Sequence, residues 1–453
     1  MVAKNYKVLP QAVISTTANF GSFLLGISLG WSSPSGPKIL HDNYEYQVTE
    51  SEFSLAVAAM PLGGALFCMI SGVIRSKIGT RYTILLFGIS NFCGWLLLTL
   101  AYNPLMLITG RFFIGVATGC YCFNIPVFVG EIASKEIRGI LLTLFQAFVE
   151  LGVAFAYTLG SLVSLNTLNI VCTILVVLYT ASFMVLPETP VFLVQRNKLK
   201  EAEKSVKILQ GSKVNAVAEV MHLKQIYEIN SKSSKNSFLN EIKSRATQKA
   251  VFIIIFLYII FQLSGINAII FYTTTIFIEA GVELDPAIAT IVLGLVQVLM
   301  TFSTMFFIEK FGRIFLLTTS FIIMIAGTIG VGTFFYLKDI GTDLSEFGWI
   351  PLTSLCTFCI GFSSGMGSVP SILLGEVFSF EAKKVIAPFA QTFNNVMSAV
   401  IGIMFPALVS AIGVGFTFYI FAGFCILGLV VTRLFIPETK GKSLEEIQKI
   451  LAS

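Results

Sequence analysis

Apolar runs of about twenty residues recur along the whole chain, separated by short polar breaks, the length a helix needs to cross about 30 Å of hydrocarbon. The pattern predicts twelve helical spans, at 11–31, 52–74, 82–101, 105–128, 140–163, 167–187, 250–272, 286–308, 315–337, 349–374, 386–411 and 415–436. One long polar stretch, Val191 to Lys249, divides the sixth span from the seventh. Within it, "NKLKEAEKSVKILQG" spaces Leu199, Ala202, Val206 and Leu209 at three and four, the mark of an amphipathic helix. Residues 231–237, "SKSSKNS", read as a linker, and only a short segment follows Pro437.

Composition agrees with this pattern. The chain is 55% hydrophobic and 12% charged, with a mean hydropathy of +0.84, against about 25% charged residues in a soluble domain. Backbone groups in lipid must bond internally, so the expected fold is an all-α membrane protein, a bundle of helices. The net charge of +5 does not point to nucleic acid, because its placement is one-sided. Of 30 Lys and Arg, all but Lys38, Arg111 and Lys338 fall in segments on one face of the predicted topology. That bias predicts both termini and the central stretch in the cytoplasm. The first span follows Lys4 and Lys7 without a small-residue cleavage site, so it is expected to stay as an anchor.

The eight cysteines lie within spans or at their edges. Cys356-x-x-Cys359 sits in an apolar helix without a second pair or a histidine nearby, and His41 and His222 are predicted on opposite sides of the membrane. No metal site, cofactor motif or catalytic set is expected, and hence no enzyme.

Internal similarity organises the chain. "RSKIGTR" (75–81) is matched by "EKFGR" (309–313), "PVFVGEIASKEIRG" (126–139) by "PSILLGEVFSFEAKK" (370–384), and "LPETP" (186–190) by "IPETK" (436–440). Matching residues are offset by 233 to 250 positions, about half the chain. The expected organisation is two parallel six-helix halves, 1–190 and 250–437, joined by helices in 191–249 and followed by a tail, 438–453, with a site near the midplane. The repeated motifs place Glu131 with Arg138, Glu376 with Lys383, and Glu309 with Arg313 at helix ends on the cytoplasmic side. Such charges are expected to form a gate, linking the halves when the site opens outward and releasing them when it opens inward.

These motifs, together with "GWSSP" (30–34), "GRFFIGVATG" (110–119), "PETPVFL" (187–193), "QLSGINAIIFY" (262–272) and "PETKG" (437–441), resemble the sugar porter family of the major facilitator superfamily. The likeness spans nearly the whole chain and is nearest to the insect facilitated trehalose transporters and the vertebrate facilitative glucose carriers. It implies a central sugar site worked by alternating access, in the plasma membrane, with a monomer as the default state. Carried over by motif, the sugar's hydroxyls should meet Gln146, Gln262, Asn267, Gln297 and Asn394, with Phe261, Phe362 and Ser371 at the same site. Carboxamides suit a neutral polyol because each offers a donor and an acceptor. On an unbroken helix Gln262 and Asn267 would point about 140° apart, so their convergence predicts an unwound turn at Ser264-Gly265, where glycine tolerates unusual dihedrals.

Several positions depart from the family pattern. Phe261 stands where a glutamine is usual, Ser371 and Asn395 where tryptophans are usual, and Ser363 where a sugar-binding glutamate is usual. Met366 and Ser368 occupy places often held by prolines, Ser76 that of an acid or amide, Thr80 that of an arginine, and Val191 that of another arginine. Proton-coupled members carry an aspartate where this chain has Ser28, which favours facilitated diffusion. Glu150, the one acid expected deep in a span, lies one turn from Gln146 and keeps a proton-coupled carrier open as an alternative. A sugar sensor on the same fold is a further alternative, against which the short tail speaks.

Overall fold

The computed structural model describes residues 8–452 apart from 41–45, 135–136, 212–214, 233–243, 308–309, 379 and 443. His41, Glu309 and most of the expected linker therefore lie outside the described residues.

The first span, Val8–Gly30, turns at Trp31 and continues as Ser32–Leu40. Spans two to six are Glu50–Ile78, Thr80–Thr99, Pro104–Ile132, Arg138–Leu162 and Leu165–Phe183. Local sequence sets several of these starts. Thr49 and Glu52 form a capping box ahead of the second span, and Asn103 caps the fourth with Pro104 in its first turn. The seventh span is in two pieces, Arg245–Leu263 and Ile266–Ala280, and the eighth and ninth are Pro286–Phe307 and Arg313–Asp339. The helical run Phe380–Phe435 has 56 residues, about 84 Å at about 1.5 Å per residue and too long for a single crossing. Gly413, at φ 82°, divides it into the eleventh and twelfth spans.

The tenth span is broken as well, into Ile350–Gly361 and Val369–Glu376 around a widened turn at Phe362–Met366. Proline is not what breaks it at Met366 or Ser368. Instead the Gly367 amide reaches back five residues to the Phe362 carbonyl at 2.9 Å. Ser320 fills the gap, donating to the Gly361 carbonyl at 2.7 Å and accepting from the Met366 amide at 3.0 Å.

Helices approach closely where side chains vanish. A Cβ on Gly26 would lie 1.9 Å from the Val149 carbonyl, so the first and fifth spans pack backbone to backbone. On the side away from the termini, the two halves are tied by uncharged groups. Ser33 accepts from the Thr274 amide at 2.9 Å, and the Tyr157 hydroxyl donates to the Ile270 carbonyl at 2.9 Å.

On the terminal side, the helices Pro190–Gln195, Leu199–Gln210 and Ala216–Lys232 share a small core of Leu193, Val194, Ala202, Val206, Ala216 and Val220. The amphipathic reading of Leu199–Gln210 holds, since Ala202, Val206 and Leu209 are its buried apolar residues. The tail adds a helix, Leu444–Ala452, that buries Ile447 and Leu451 and is pinned by Gln448 to the Val377 carbonyl at 2.6 Å.

Candidate functional site

At the break in the seventh span Gly265 sits in the left-handed region at φ 90°, and the helix restarts at Ile266. The turn swings Asn267 onto the side of Gln262, and Asn267 Nδ2 donates to Gln262 Oε1 at 2.7 Å and to Ser398 Oγ at 2.7 Å. Gln262 Nε2 in turn donates to Asn394 Oδ1 at 2.8 Å and to the Asn394 carbonyl at 3.2 Å. Three carboxamides from the seventh and eleventh spans thus form one chain. Its free ends are Asn267 Oδ1 and Asn394 Nδ2, one acceptor and one donor without a partner among the described residues. Asn395, beside Asn394, faces the second span instead, its Nδ2 3.3 Å from the Cβ position of Gly64.

Gln146 is half-buried on the fifth span, and its Nε2 donates to Glu150 Oε1 at 2.8 Å. Glu150 itself is 3% exposed, and its Oε2 has no protein partner. Among the described residues no cation lies within ion-pair distance of it. Gln297 of the eighth span is 1% exposed, with neither carboxamide atom partnered. It lies one turn beyond Gly294, whose Cβ position is 3.1 Å from Ala154 Cα of the fifth span. Gln297 thus lies close in sequence to the point where the eighth span packs on the fifth.

Phe261 is half-buried and packs edge-on against Phe362, ring centroids 5.0 Å apart at 72°. Phe362 is buried and continues the stack to Phe358. Ser371 is exposed and lies near the hydroxyl of Tyr258, one turn before Gln262. The Ser363 hydroxyl is buried without a partner.

Sequence reasoning noticed Arg111 only as an exception to the charge bias. The structure makes it a central element, fully buried, with Nη1 donating to the Ser28 carbonyl at 2.7 Å and Nη2 to Ser32 Oγ at 3.2 Å. Nε reaches the Ala56 carbonyl at 3.4 Å, and the guanidinium carbon lies 4.9 Å from the Trp31 ring centroid. A buried cation needs such partners to offset lost hydration. The other two exceptions are engaged in the same way. Lys38 Nζ donates to the Gly160 and Val163 carbonyls at 2.6 and 2.5 Å, at the end of the fifth span. Lys338 Nζ donates to the Glu279 and Ala280 carbonyls at 2.5 and 3.2 Å, at the end of the seventh. All three cations donate to helix backbone carbonyls.

The charged motifs on the terminal side form local contacts. Glu131 is held by Arg75 at 2.9 Å, not by Arg138, which donates to the Ala133 carbonyl at 3.0 Å and so caps the end of the fourth span. Glu376 is held by Arg313 at 2.7 Å and by the Thr439 hydroxyl at 2.6 Å, while Lys383 stands exposed at the start of the eleventh span. Both ion pairs lie within a half rather than between halves, so the expected linking network is not formed in this conformation. The "PET" motifs do matching work. Glu188 accepts from the Thr80 and Arg81 amides at 3.1 and 3.0 Å, and Glu438 from the Arg313 and Ile314 amides at 2.9 and 3.1 Å. Each carboxylate caps the N-terminus of a span, the third or the ninth. Burial raises the Glu188 pKa above its ordinary value despite three amide donors, Thr189, Arg81 and Thr80. For Glu438 burial also pushes upward, but the amides of Lys440, Arg313, Ile314 and Thr439 outweigh it and lower the pKa.

Residues 11–451 match the family model described as "Sugar (and other) transporter". The facilitated trehalose transporter of Polypedilum vanderplanki is 33% identical over 444 residues, covering 98% of this chain and 88% of that one. The facilitated trehalose transporter of Bombyx mori is 32% identical over 443 residues, covering 98% and 87%. Among solved structures, the inward-open xylose transporter XylE from E. coli superposes with a TM-score of 0.79 at 20% identity, covering 97% of this chain and 99% of that one. The proton:xylose symporter XylE bound to 6-bromo-6-deoxy-D-glucose superposes at 0.78, with 20% identity and coverage of 98% and 100%. With the twelve spans and repeated motifs, these matches place the chain in the sugar porter family of the major facilitator superfamily, multi-pass membrane transporters rather than enzymes.

Proposed function

We propose that the chain is a facilitative uniporter that moves a hexose such as glucose, or the disaccharide trehalose, across the plasma membrane by alternating access. In this reading both termini and the helices of 191–249 are cytoplasmic, and 1–190 and 250–437 are the moving halves. The observation that carries it is the carboxamide chain at the seventh-span break, with a free donor at Asn394 and a free acceptor at Asn267. A neutral polyol can bond to both ends at once, whereas a charged solute would find one sign of partner unmatched. The trehalose carriers among the relatives support the choice of sugar.

Uniport is supported by Ser28. Its backbone carbonyl takes the Arg111 guanidinium, and its hydroxyl donates to the Leu24 carbonyl at 2.8 Å, so the position offers no titratable group. The cross-half bonds on the side away from the termini, with ion pairs kept inside each half on the terminal side, support an inward-facing conformation. The charges at Glu131, Arg313 and Glu376 then belong to a gate that re-forms across the halves when the site faces outward. The test is uptake of labelled glucose, fructose and trehalose into proteoliposomes with and without a proton gradient. Counterflow of one sugar independent of the gradient is the expected result. No exchange of any sugar would favour a sensor.

A further inference from the structure

The Gln146–Glu150 pair fixes something the other carboxamides leave free. Gln146 is half-buried, while Glu150 behind it is 3% exposed and shut between neighbouring helices. On one side Val149 packs against Gly26 of the first span, and on the other Ala154 packs against Gly294 of the eighth. Among the described residues, the only hydrogen bond Glu150 makes is the one it accepts from Gln146 Nε2 at 2.8 Å. The ionised carboxylate can only accept, so it holds the NH₂ of Gln146 toward itself. A carboxamide is planar, so turning its NH₂ inward turns its carbonyl oxygen outward.

We propose that Glu150 is a positioning residue that locks the Gln146 carboxamide with its NH₂ turned inward, so that the substrate meets the Gln146 carbonyl oxygen as a fixed hydrogen-bond acceptor. The assignment rests on the sugar-carrier reading and sharpens it: the substrate must present a hydroxyl that donates at this point. The carboxamide chain on the opposite half is not restricted in this way, because it ends in one donor and one acceptor. A glutamine at 150 could accept or donate, and would release Gln146 to turn either way.

Fluorinated sugars read this difference, because a C–F group can accept weakly but cannot donate. The experiment is competition by single deoxy and single deoxyfluoro analogues against counterflow of labelled glucose or trehalose, whichever the wild type exchanges. It is run in proteoliposomes on wild type, Glu150→Gln and Glu150→Leu. In the wild type, at the ring position that faces Gln146, both analogues should bind up to about tenfold more weakly than the parent, the loss of one hydrogen bond. In Glu150→Gln the fluoro analogue should recover several-fold over the deoxy analogue at that position and at no other. Glu150→Leu, which removes the lock outright, should do the same. A purely structural Glu150 would weaken every sugar equally and leave the fluoro-to-deoxy ratio unmoved. An unchanged ratio at every ring position in variants that still exchange the parent sugar overturns this assignment and leaves the carrier reading standing. A wild type that exchanges no sugar overturns both.

Discussion

Asn267 donates to Gln262 across 2.7 Å although the two residues stand on opposed faces of any regular helix. Only the left-handed turn at Gly265, φ 90°, brings them together, and a Cβ there would lie 2.4 Å from the Phe421 ring. Gly265→Ala adds about 1–2 kcal/mol for the left-handed backbone and a clash besides. The expected outcome is a protein that inserts but melts several degrees lower and exchanges sugar at least tenfold more slowly. Normal counterflow in Gly265→Ala would mean that the turn is not needed to assemble the site.

Ser28 and Arg111 invite the converse experiment. The guanidinium is fully buried and touches carbonyls, a hydroxyl and an aromatic ring, with no carboxylate partner among the described residues. Ser28→Asp would set a carboxylate beside it, which could take up a proton from one side and release it to the other as the cavity changes sides, while the guanidinium stays charged. Uptake by the wild type should be indifferent to an imposed proton gradient. Uptake by Ser28→Asp should become gradient-dependent, read as sugar flux with the gradient on and collapsed.

The Arg75–Glu131 pair departs from the internal symmetry. In the second half the base, Arg313, directly follows Gly312, whereas in the first half Thr80 follows Gly79 and the base comes from Arg75. Both partners of the first pair are about four-fifths buried, with side-chain exposures of 22% and 19%. Glu131 also lies near enough to Glu188, the cap of the Thr80 amide, to repel it. An arginine at 80 should therefore reach the same acid. Arg75→Gln should lower thermal stability and slow exchange several-fold, and Arg75→Gln with Thr80→Arg should recover most of both. A double variant no better than the single one would show that Arg75 acts through something other than Glu131.

The two caps predict opposite responses to acid. The Glu438 pKa is lowered in the fold, so its stabilisation is present above the ordinary carboxylate pKa and is lost as pH falls through the folded value. The Glu188 pKa is raised, so its contribution is fullest below the ordinary value and declines as pH rises through the folded one. Glu438→Gln should therefore melt lower than wild type at neutral pH, and the gap should narrow on acidification to about pH 4. Glu188→Gln should cost least at neutral pH, where burial of the charge already offsets the cap. Melting curves from pH 4 to pH 8 in detergent test both, and parallel curves for the two variants would contradict the assignment.

Much of this was legible in the sequence because lipid leaves few alternatives. Spans and the amphipathic linking helix follow from apolar run length and spacing, and the seventh-span break from the family resemblance, which sets Gln262 and Asn267 at one site with Gly265 between them. Arg111 was missed as a structural centre because its partners are carbonyls at Ser28 and Ala56, and backbone leaves no trace in residue type. Glu131 and Arg138 bracket one loop in the sequence, but the ion-pair partner of Glu131 is Arg75, 56 positions away on a neighbouring helix. The tenth-span break survives without proline at Met366 and Ser368 because Ser320, from another span, supplies the bonds. Each miss is a contact between helices distant in the chain, which periodicity does not encode.

Phe261 precedes Gln262, and the family's glutamine is replaced there by a ring set edge-on to Phe362 at 5.0 Å. Edge-to-face pairs contribute about 0.5–1.5 kcal/mol beyond area, so the ring holds the broken seventh and tenth spans together near the site. Phe261 is only half-buried, so part of its ring is left uncovered by protein. Phe261→Gln should have two separable effects. Thermal stability should fall by an amount consistent with one aromatic pair, and Phe261→Leu should fall nearly as far. Sugar affinity should rise or the ranking of sugars shift in Phe261→Gln alone, because only glutamine adds a donor and an acceptor for a hydroxyl. Equal sugar rankings in wild type, Phe261→Leu and Phe261→Gln would confine Phe261 to packing and leave Gln262, through Asn394, as the seventh span's first polar contact with the substrate.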